Sequence, residues 1–314
     1  MTTNALVYLV FGIVLLLALV FDFGLLSKKD KVVSIRQAFV QTIFWVSLAL
    51  AFCAFVWMEE GKKPALEYIS AYLMEWSLST DNIFVFILIF DAFSVKEKHY
   101  PRVLISGILM AIIFRIIFIT VGVTAIQYAE WILYLFGAFL MYTSYKMFFA
   151  GDDEEFNPYE SRVYRFLKKY LRLVPHDGGG KYVIRREGKR FYTSLFVVVV
   201  LLGTIDILFA VDSIPAVVGI SQSKLVIYTS NIFAVLGLRS LFFLLRGAIG
   251  KFDYLPKGIA VILGFIGLKM LAQHWIDKWV GNEEQSFISL AVILFCLSGS
   301  IIYSIIVNKR KKQA

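Results

Sequence analysis

The sequence predicts an all-α fold: a polytopic membrane helix bundle of about nine transmembrane helices with an inverted three-helix repeat. Three observations carry this. Hydrophobic residues make up 59% of the 314 and charged ones only 18%, more apolar surface than a soluble domain can hide. Apolar runs long enough to cross a bilayer core of roughly 30 Å recur along the chain. Lys and Arg crowd alternate loops, the pattern left by the positive-inside rule.

The runs fall at about 5–26, 36–58, 66–92, 102–122, 130–149, 192–219, 224–246, 256–275 and 286–307. The first, Ala5 to Leu26, has no basic leader and no small-residue cleavage site, so it reads as a retained span. Lys28, Lys29, Lys31 and Arg36 follow span 1, and Lys96, Lys98 and Arg102 follow span 3. Arg246, Lys251 and Lys257 follow span 7, and Lys309 to Lys312 close the chain. The opposite loops hold only Lys62, Lys63, Lys224 and Lys278. This asymmetry predicts a bacterial inner-membrane protein with its N-terminus outside and its C-terminus cytoplasmic. The net charge of +9 then reflects basic cytoplasmic loops, and no nucleic-acid partner is expected.

Five regions follow: 1–65, two leading helices; 66–149, a first three-helix unit; 150–191, a cytoplasmic basic loop; 192–275, a second three-helix unit; 276–314, the last helix and a basic tail. The loop opens on the acidic run Asp152 to Glu155, read as solvated. It continues into a basic amphipathic stretch, Tyr159–Val174, with Val163, Phe166, Leu167, Tyr170 and Leu171 on its apolar side. That suits a short helix on the anionic leaflet. Tyr182–Tyr192, around Glu187-Gly188, reads as a hairpin.

The two units match at several points. Glu75 and Asp81 are six apart, as are Asp206 and Asp212. Asp81-Asn82-Ile83 parallels Asp212-Ser213-Ile214, Arg115 parallels Arg239, and Tyr145-Lys146-Met147 parallels Leu268-Lys269-Met270. Three spans per unit is an odd number, so the second unit must be inserted upside down, as in many secondary transporters.

Asp22, Glu75, Asp81, Asp206 and Asp212 lie inside expected spans. Each carboxylate at a helix centre costs roughly 2.5–3.5 kcal/mol on insertion scales, so intramembrane acids mark function by default. Compensation can come from Arg115, Arg239, Lys146 or Lys269, or from a bound cation. Six residues turn about 240° of helix, so the acids of one span cannot share a face of a regular helix, whereas Glu75, Ser79, Asn82 and Phe86 can. Either the acids of a span serve two different clusters, or its helix breaks between them. Pro215 argues for a broken helix at Asp212, whose freed carbonyls would bind a cation. Carboxylate, amide, hydroxyl and carbonyl oxygens suit Mn²⁺, Mg²⁺ or Ca²⁺ better than Cu⁺ or Zn²⁺. His99, His176 and His274 lie far apart in sequence, Cys53 and Cys296 sit in apolar runs, and no phosphate loop or nucleophile elbow is present. No enzyme activity and no resident cofactor are expected.

The segments EWSLSTDNIFVF (75–86), FAVDSIPA (209–216), SNIFAVLGLRSLFFLL (230–245) and ILYLFGAFLMYTSYKM (132–147), with Asp22 in VFDFGLL, resemble the TerC/Alx family of tellurium-resistance TerC-type membrane proteins. The resemblance spans nearly the whole chain. It implies a relative of LysE-type transporters that exports Mn²⁺ from the cytoplasm. It implies an ion pathway of Asp22, Glu75, Asp81, Asn82, Asp206, Asp212 and Ser213. One departure stands out: Gly203 occupies a position, three before Asp206, where members often carry Glu.

The expected function is therefore export of a divalent cation, Mn²⁺ first, by alternating access between leaflets. The main rival is a non-transporting scaffold for tellurite or metal stress, docking a cytoplasmic protein through 150–191. A membrane enzyme lacks redox cysteines here, and an anion carrier would oppose its own acidic pathway. A broken helix at Asp81 or Asp212 favours transport; regular helices with every acid ion-paired favour the scaffold.

Overall fold

The computed structural model describes residues 3–21, 33–129, 131–149, 157–246 and 254–311. Long helices stand at each of the expected spans: α1 (Thr3–Phe21), α2 (Ile35–Glu60), α3 (Lys62–Ala92), α4 (Tyr100–Tyr128) and α5 (Trp131–Phe149). After the short α6 (Arg162–Tyr170) and the hairpin β1 (Val183–Arg186) and β2 (Lys189–Tyr192) come α7 (Ser194–Ile220), α8 (Lys224–Arg246), α9 (Leu255–Trp279) and α10 (Asn282–Lys311). Among the described residues, six helices are long and apolar enough by themselves to cross a membrane: α2, α4, α5, α8, α9 and α10.

Local chemistry sets the ends. Ser34 and Gln37 form a capping box at the start of α2. The α2–α3 reversal turns on Gly61 at φ +93, a conformation that a side chain would strain. α8 is the central mast, buried along nearly all its length between α2, α3 and α4. An apolar helix buried all round is expected in a membrane core. α5 and α10 instead expose rows of apolar side chains, among them Leu135, Leu294, Phe295 and Ile302.

Two apolar clusters fill the bundle. One, around Tyr68, Phe52, Phe233 and Ile266, lies toward the end that carries the α2–α3 turn. The other, around Phe90, Leu104, Leu202 and Phe242, lies toward the hairpin end. Trp76 and Ile112 pack against both. Trp57, Tyr128, Trp131, Trp275 and Trp279 are exposed at the turn end, the placement of an interfacial aromatic belt.

The expected hairpin is present, with Arg186 opposite Lys189 and a two-residue turn at Glu187 (φ 51) and Gly188 (φ 72). Positive φ at both positions matches the twist of the strands. The amphipathic helix is also present, but its apolar residues divide. Leu167, with Val163 and Leu171, packs onto the bundle, whereas Phe166 and Tyr170 stay exposed with their rings 4.7 Å apart. Tyr159 Oη donates to Ala92 O at 2.5 Å, and Val174 N–H donates to Tyr192 O at 2.9 Å. Both ends of α6 are thereby tied to the level where α3 stops and α7 starts.

The loop is latched to the α3–α4 turn. Asp177 pairs with Lys96 at 2.9 Å and lies 3.6 Å from His99, and Arg102 donates to Gly180 O at 2.8 Å. The hydrogen bond from Lys96, then that from Gly179 N–H, holds the Asp177 carboxyl below the usual carboxylate range. A depressed folded-state value stabilises the latch above about pH 4, and the contribution is lost as pH falls through that value. Hydrogen exchange of amides 176–192, corrected for intrinsic rates, should therefore rise below about pH 4. Asp177→Asn should show the raised rate already at pH 7, and equal rates in variant and parent would refute the latch.

Candidate membrane-embedded acid site

A fully buried polar cluster forms where the two apolar clusters meet. Glu75 on α3, Arg115 on α4 and Asp206 on α7 are each at most 1% exposed, and Asn231 on α8 is equally buried. Arg115 Nε and Nη2 donate to the two carboxylate oxygens of Asp206 at 3.0 and 3.1 Å. Its Nη1 donates to Glu75 Oε1 and, at 3.2 Å, to Asn231 Oδ1. Ser79, one turn on from Glu75, donates to the same Glu75 oxygen at 3.3 Å. Glu75 Oε2 is buried without a hydrogen-bond partner among the described residues. The bidentate pairing is the strong form of a guanidinium–carboxylate contact.

Four helices thus contribute five polar groups to a single point, two of them from α3. α4 and α7 run side by side and in step, with Gly107 against Leu202, Gly203 against Met110, Arg115 against Asp206 and Gly122 against Ile214. Glu75 meets Asp206, the first acid of the other unit. Asn82 and Ser213 are buried nearby in sequence on α3 and α7. The backbones of Asp81 and Asp212 lie in α3 and α7, their side chains lie outside the described part of the structure, and Asp22 lies outside the described residues altogether.

The expected helix break is corrected. α3 runs unbroken through Asp81 and α7 unbroken through Asp212, with Pro215 inside the helix. A spacing of six does not require a break; a regular helix simply presents its two acids to different neighbours. Two of the other expected counter-charges lie away from Glu75 and Asp206: Lys146 is exposed on α5, and Lys269 donates to Ser289 Oγ at 3.2 Å. Arg239 is buried on α8.

A family model described as "Integral membrane protein TerC family" matches residues 60–312. The chain belongs to the TerC family. It is 39% identical over 291 residues to "Uncharacterized membrane protein STKORF319" of Myxococcus xanthus, covering 93% of this chain and 89% of that one. It is 38% identical over 299 residues to an "Uncharacterized membrane protein" of Rickettsia felis, covering 95% and 97%. It is 36% identical over 312 residues to the "Putative membrane-bound redox modulator Alx" of Salmonella typhi, covering 96% and 95%. No solved structure matches.

In this TerC-family chain, the space beside Gly203 is taken. A Cβ there would stand 1.8 Å from Met110 Cε, the end of a flexible side chain. Met110 fills the position toward which a longer residue at 203 would extend.

A second polar group, missed from the sequence, lines a cavity of about 400 Å³ at the turn end of the bundle, between the start of α3, the α7–α8 loop, α9 and α10. Glu67 accepts from Ser221 Oγ at 2.5 Å and Ser286 Oγ at 3.4 Å, and Lys63 Nζ lies 3.7 Å away. Glu67 is buried despite its place near a span end, and only the packing of Ser221 and Ser286 against it reveals that. At the hairpin end, Phe90, Tyr100 and Phe242 pack together with ring centroids 4.4 to 5.9 Å apart. Among the described side chains, no three acidic, histidine or cysteine groups gather into a metal cluster.

Proposed function

We propose that this TerC-family protein exports a divalent metal cation, Mn²⁺ first, by alternating access. The supporting observation is the meeting of Glu75 and Asp206, one acid from each three-helix unit, around Arg115 in the bundle's interior. Cargo is the one group that makes two buried acids useful rather than merely costly. With Asn231 and Ser79 beside them, the donor set is all oxygen, the chemistry that suits Mn²⁺, Mg²⁺ or Ca²⁺.

The repeat reading gains support from packing. α3 packs on α8, α4 on α7, and α5 on α9; exchanging the two units leaves this set unchanged. Aligning Tyr145-Lys146-Met147 with Leu268-Lys269-Met270 matches Gly137 to Ala260 and Ser144 to Gly267. The close approach of Gly137 to Gly267 and the Ser144 Oγ–Ala260 O bond at 2.7 Å are then equivalent contacts. A pseudo-two-fold with its site on the unit interface is the architecture of inverted-repeat carriers. The 400 Å³ cavity at the turn end, lined by Glu67, would serve as a vestibule on the extracytoplasmic side.

The test is flux in liposomes holding the full chain. Mn²⁺ movement should exceed that of empty liposomes, compete with Mg²⁺ or Ca²⁺ more than with Zn²⁺, and fall to background in Glu75→Gln and Asp206→Asn. Flux that both variants retain in full would sink the reading.

A second reading, a membrane scaffold, is favoured by the unbroken α3 and α7 and by the ion-pairing of both described acids. It predicts that cellular metal-stress resistance survives both substitutions and is lost when 157–192 is deleted.

A further inference from the structure

Arg115 occupies the place a metal ion would take. Three of its nitrogens reach both carboxylates and the Asn231 amide oxygen, and no part of it faces solvent to any useful extent. A divalent cation and a guanidinium cannot both sit between the same two carboxylates, because like charges about 4 Å apart repel by several kcal/mol even at the effective dielectric of a protein interior. We propose that Arg115 is a tethered counter-cation: it holds the Glu75–Asp206 pair between transport events, and a divalent cation loads by displacing it. The proposal rests on the transport reading above.

A further observation favours displacement over a fixed brace: Glu75 Oε2 is buried and has no hydrogen-bond partner among the described residues. Arg115 saturates Asp206 but engages Glu75 through one oxygen, so the acid pair retains an unused ligand atom. Among these three side chains the formal charge is one short of neutral with Arg115 in place. A divalent ion in its stead balances both carboxylates, whereas a monovalent ion leaves the same deficit as the guanidinium. The site would therefore discriminate by charge as well as by donor type.

Space sets how displacement would proceed. The cavity beside Asp206, lined by Gly107, Ala111, Leu202 and Leu238 among others, measures about 10 Å³. That holds at most about one water, so a displaced guanidinium has to carry α4 with it. α4 packs on α7 and α8 along the seam that holds the site. Cargo loading and helix movement are thereby linked through one side chain, and release of cargo lets Arg115 return to reset the site.

Arg115→Lys tests this. Lysine keeps the charge but loses the planar two-pronged hold on Asp206. In liposomes with Mn²⁺ as the probe, the variant should half-saturate at a concentration about tenfold lower than the parent, since the competitor is weaker, and turn over more slowly. A brace whose only role is structural predicts the reverse: a loosened site that needs more Mn²⁺. Arg115→Gln removes the competitor outright. It should keep Mn²⁺-for-Mn²⁺ exchange across the membrane while losing net flux, because the empty site cannot reset. A parent that transports Mn²⁺ with a Lys variant of unchanged or raised half-saturation overturns the proposal. A parent that moves no divalent cation overturns the transport reading itself, an outcome recognisable without any variant. If Arg115→Gln does not fold, the Lys variant still decides.

Discussion

Asp206→Asn should cost about 3 kcal/mol of stability, near the lower end of what removing one partner of a buried ion pair costs. Asp206 takes two of the hydrogen bonds of Arg115 at 3.0 and 3.1 Å in a site cut off from water. Asparagine is nearly the same shape, so little packing is lost. Its amide can accept one of the two bonds, but its NH₂ then faces the guanidinium, and the arginine keeps only Glu75 as a counter-charge. Glu75→Gln should cost less, because Glu75 engages Arg115 through a single oxygen. Thermal unfolding of the purified chain in detergent checks both, and a larger loss for Glu75→Gln than for Asp206→Asn would contradict the arrangement. The pair should also be non-additive. Once either acid is gone, Arg115 and the remaining acid form a balanced one-to-one pair, so the second substitution removes the only counter-charge left.

Gly267→Val should separate α5 from α9. A Cβ at Gly267 would stand 2.8 Å from Gly137 O, 3.1 Å from Leu140 Cβ and 3.1 Å from Met141 N. Two of those atoms are backbone in a regular helix, and neither can yield without moving α5 itself. Overpacking of this kind costs about 1–3 kcal/mol and more where backbone must shift; valine adds its γ-carbons to the clash. Gly264→Ala is the graded comparison, since its Cβ would meet the movable Ser144 Oγ at 2.8 Å. Gly299→Ala is the control, with nothing within 4 Å, and should be neutral or slightly stabilising, as alanine is the better helix former. Melting temperatures in the order Gly299→Ala, Gly264→Ala, Gly267→Val, highest first, are expected. A Gly267→Val protein as stable as the parent would mean that the α5–α9 contact is looser than the distances state.

The long helices and the hairpin were readable from sequence because each obeys a local rule. An apolar run needs about 18 residues to cross a bilayer whatever surrounds it. Glu187-Gly188 supplies the two left-handed positions of a tight turn by its own chemistry. Charged residues inside apolar runs were also visible, so Glu75, Asp206 and Arg115 were all singled out. Their convergence was not, because nothing in a span's own composition says which neighbour it faces. The expected break at Asp81 or Asp212 failed for a related reason. It leaned on Pro215, which α7 carries inside a regular helix; α3 and α7 both stay regular and offer their first acid to the shared arginine.

Glu67 and Asn231 were missed for opposite reasons. Glu67 lies a turn inside the start of α3 beside two lysines, where a solvated acid is ordinary, and the serines that bury it come from 154 and 219 residues away in the chain. Asn231 sits in a stretch already noted for its resemblance to the family, but an asparagine in an apolar helix has no charge to compensate and so raised no question. Its role depends on α8 being the central mast with that face turned to Arg115.

The sequence by itself determined the membrane class, the helix positions, the family and the residue types available for chemistry, because hydropathy, turn chemistry and motif content are properties of short stretches. Only the tertiary structure decided which acids meet, that one arginine stands between them, that a glycine pair lets α5 and α9 touch, and that Glu67 lines a cavity at the turn end of the bundle. Those outcomes depend on helix rotation and neighbour choice. In a bundle whose helices are apolar nearly all round, composition leaves both open, and packing of small residues and pairing of buried charges fixes them.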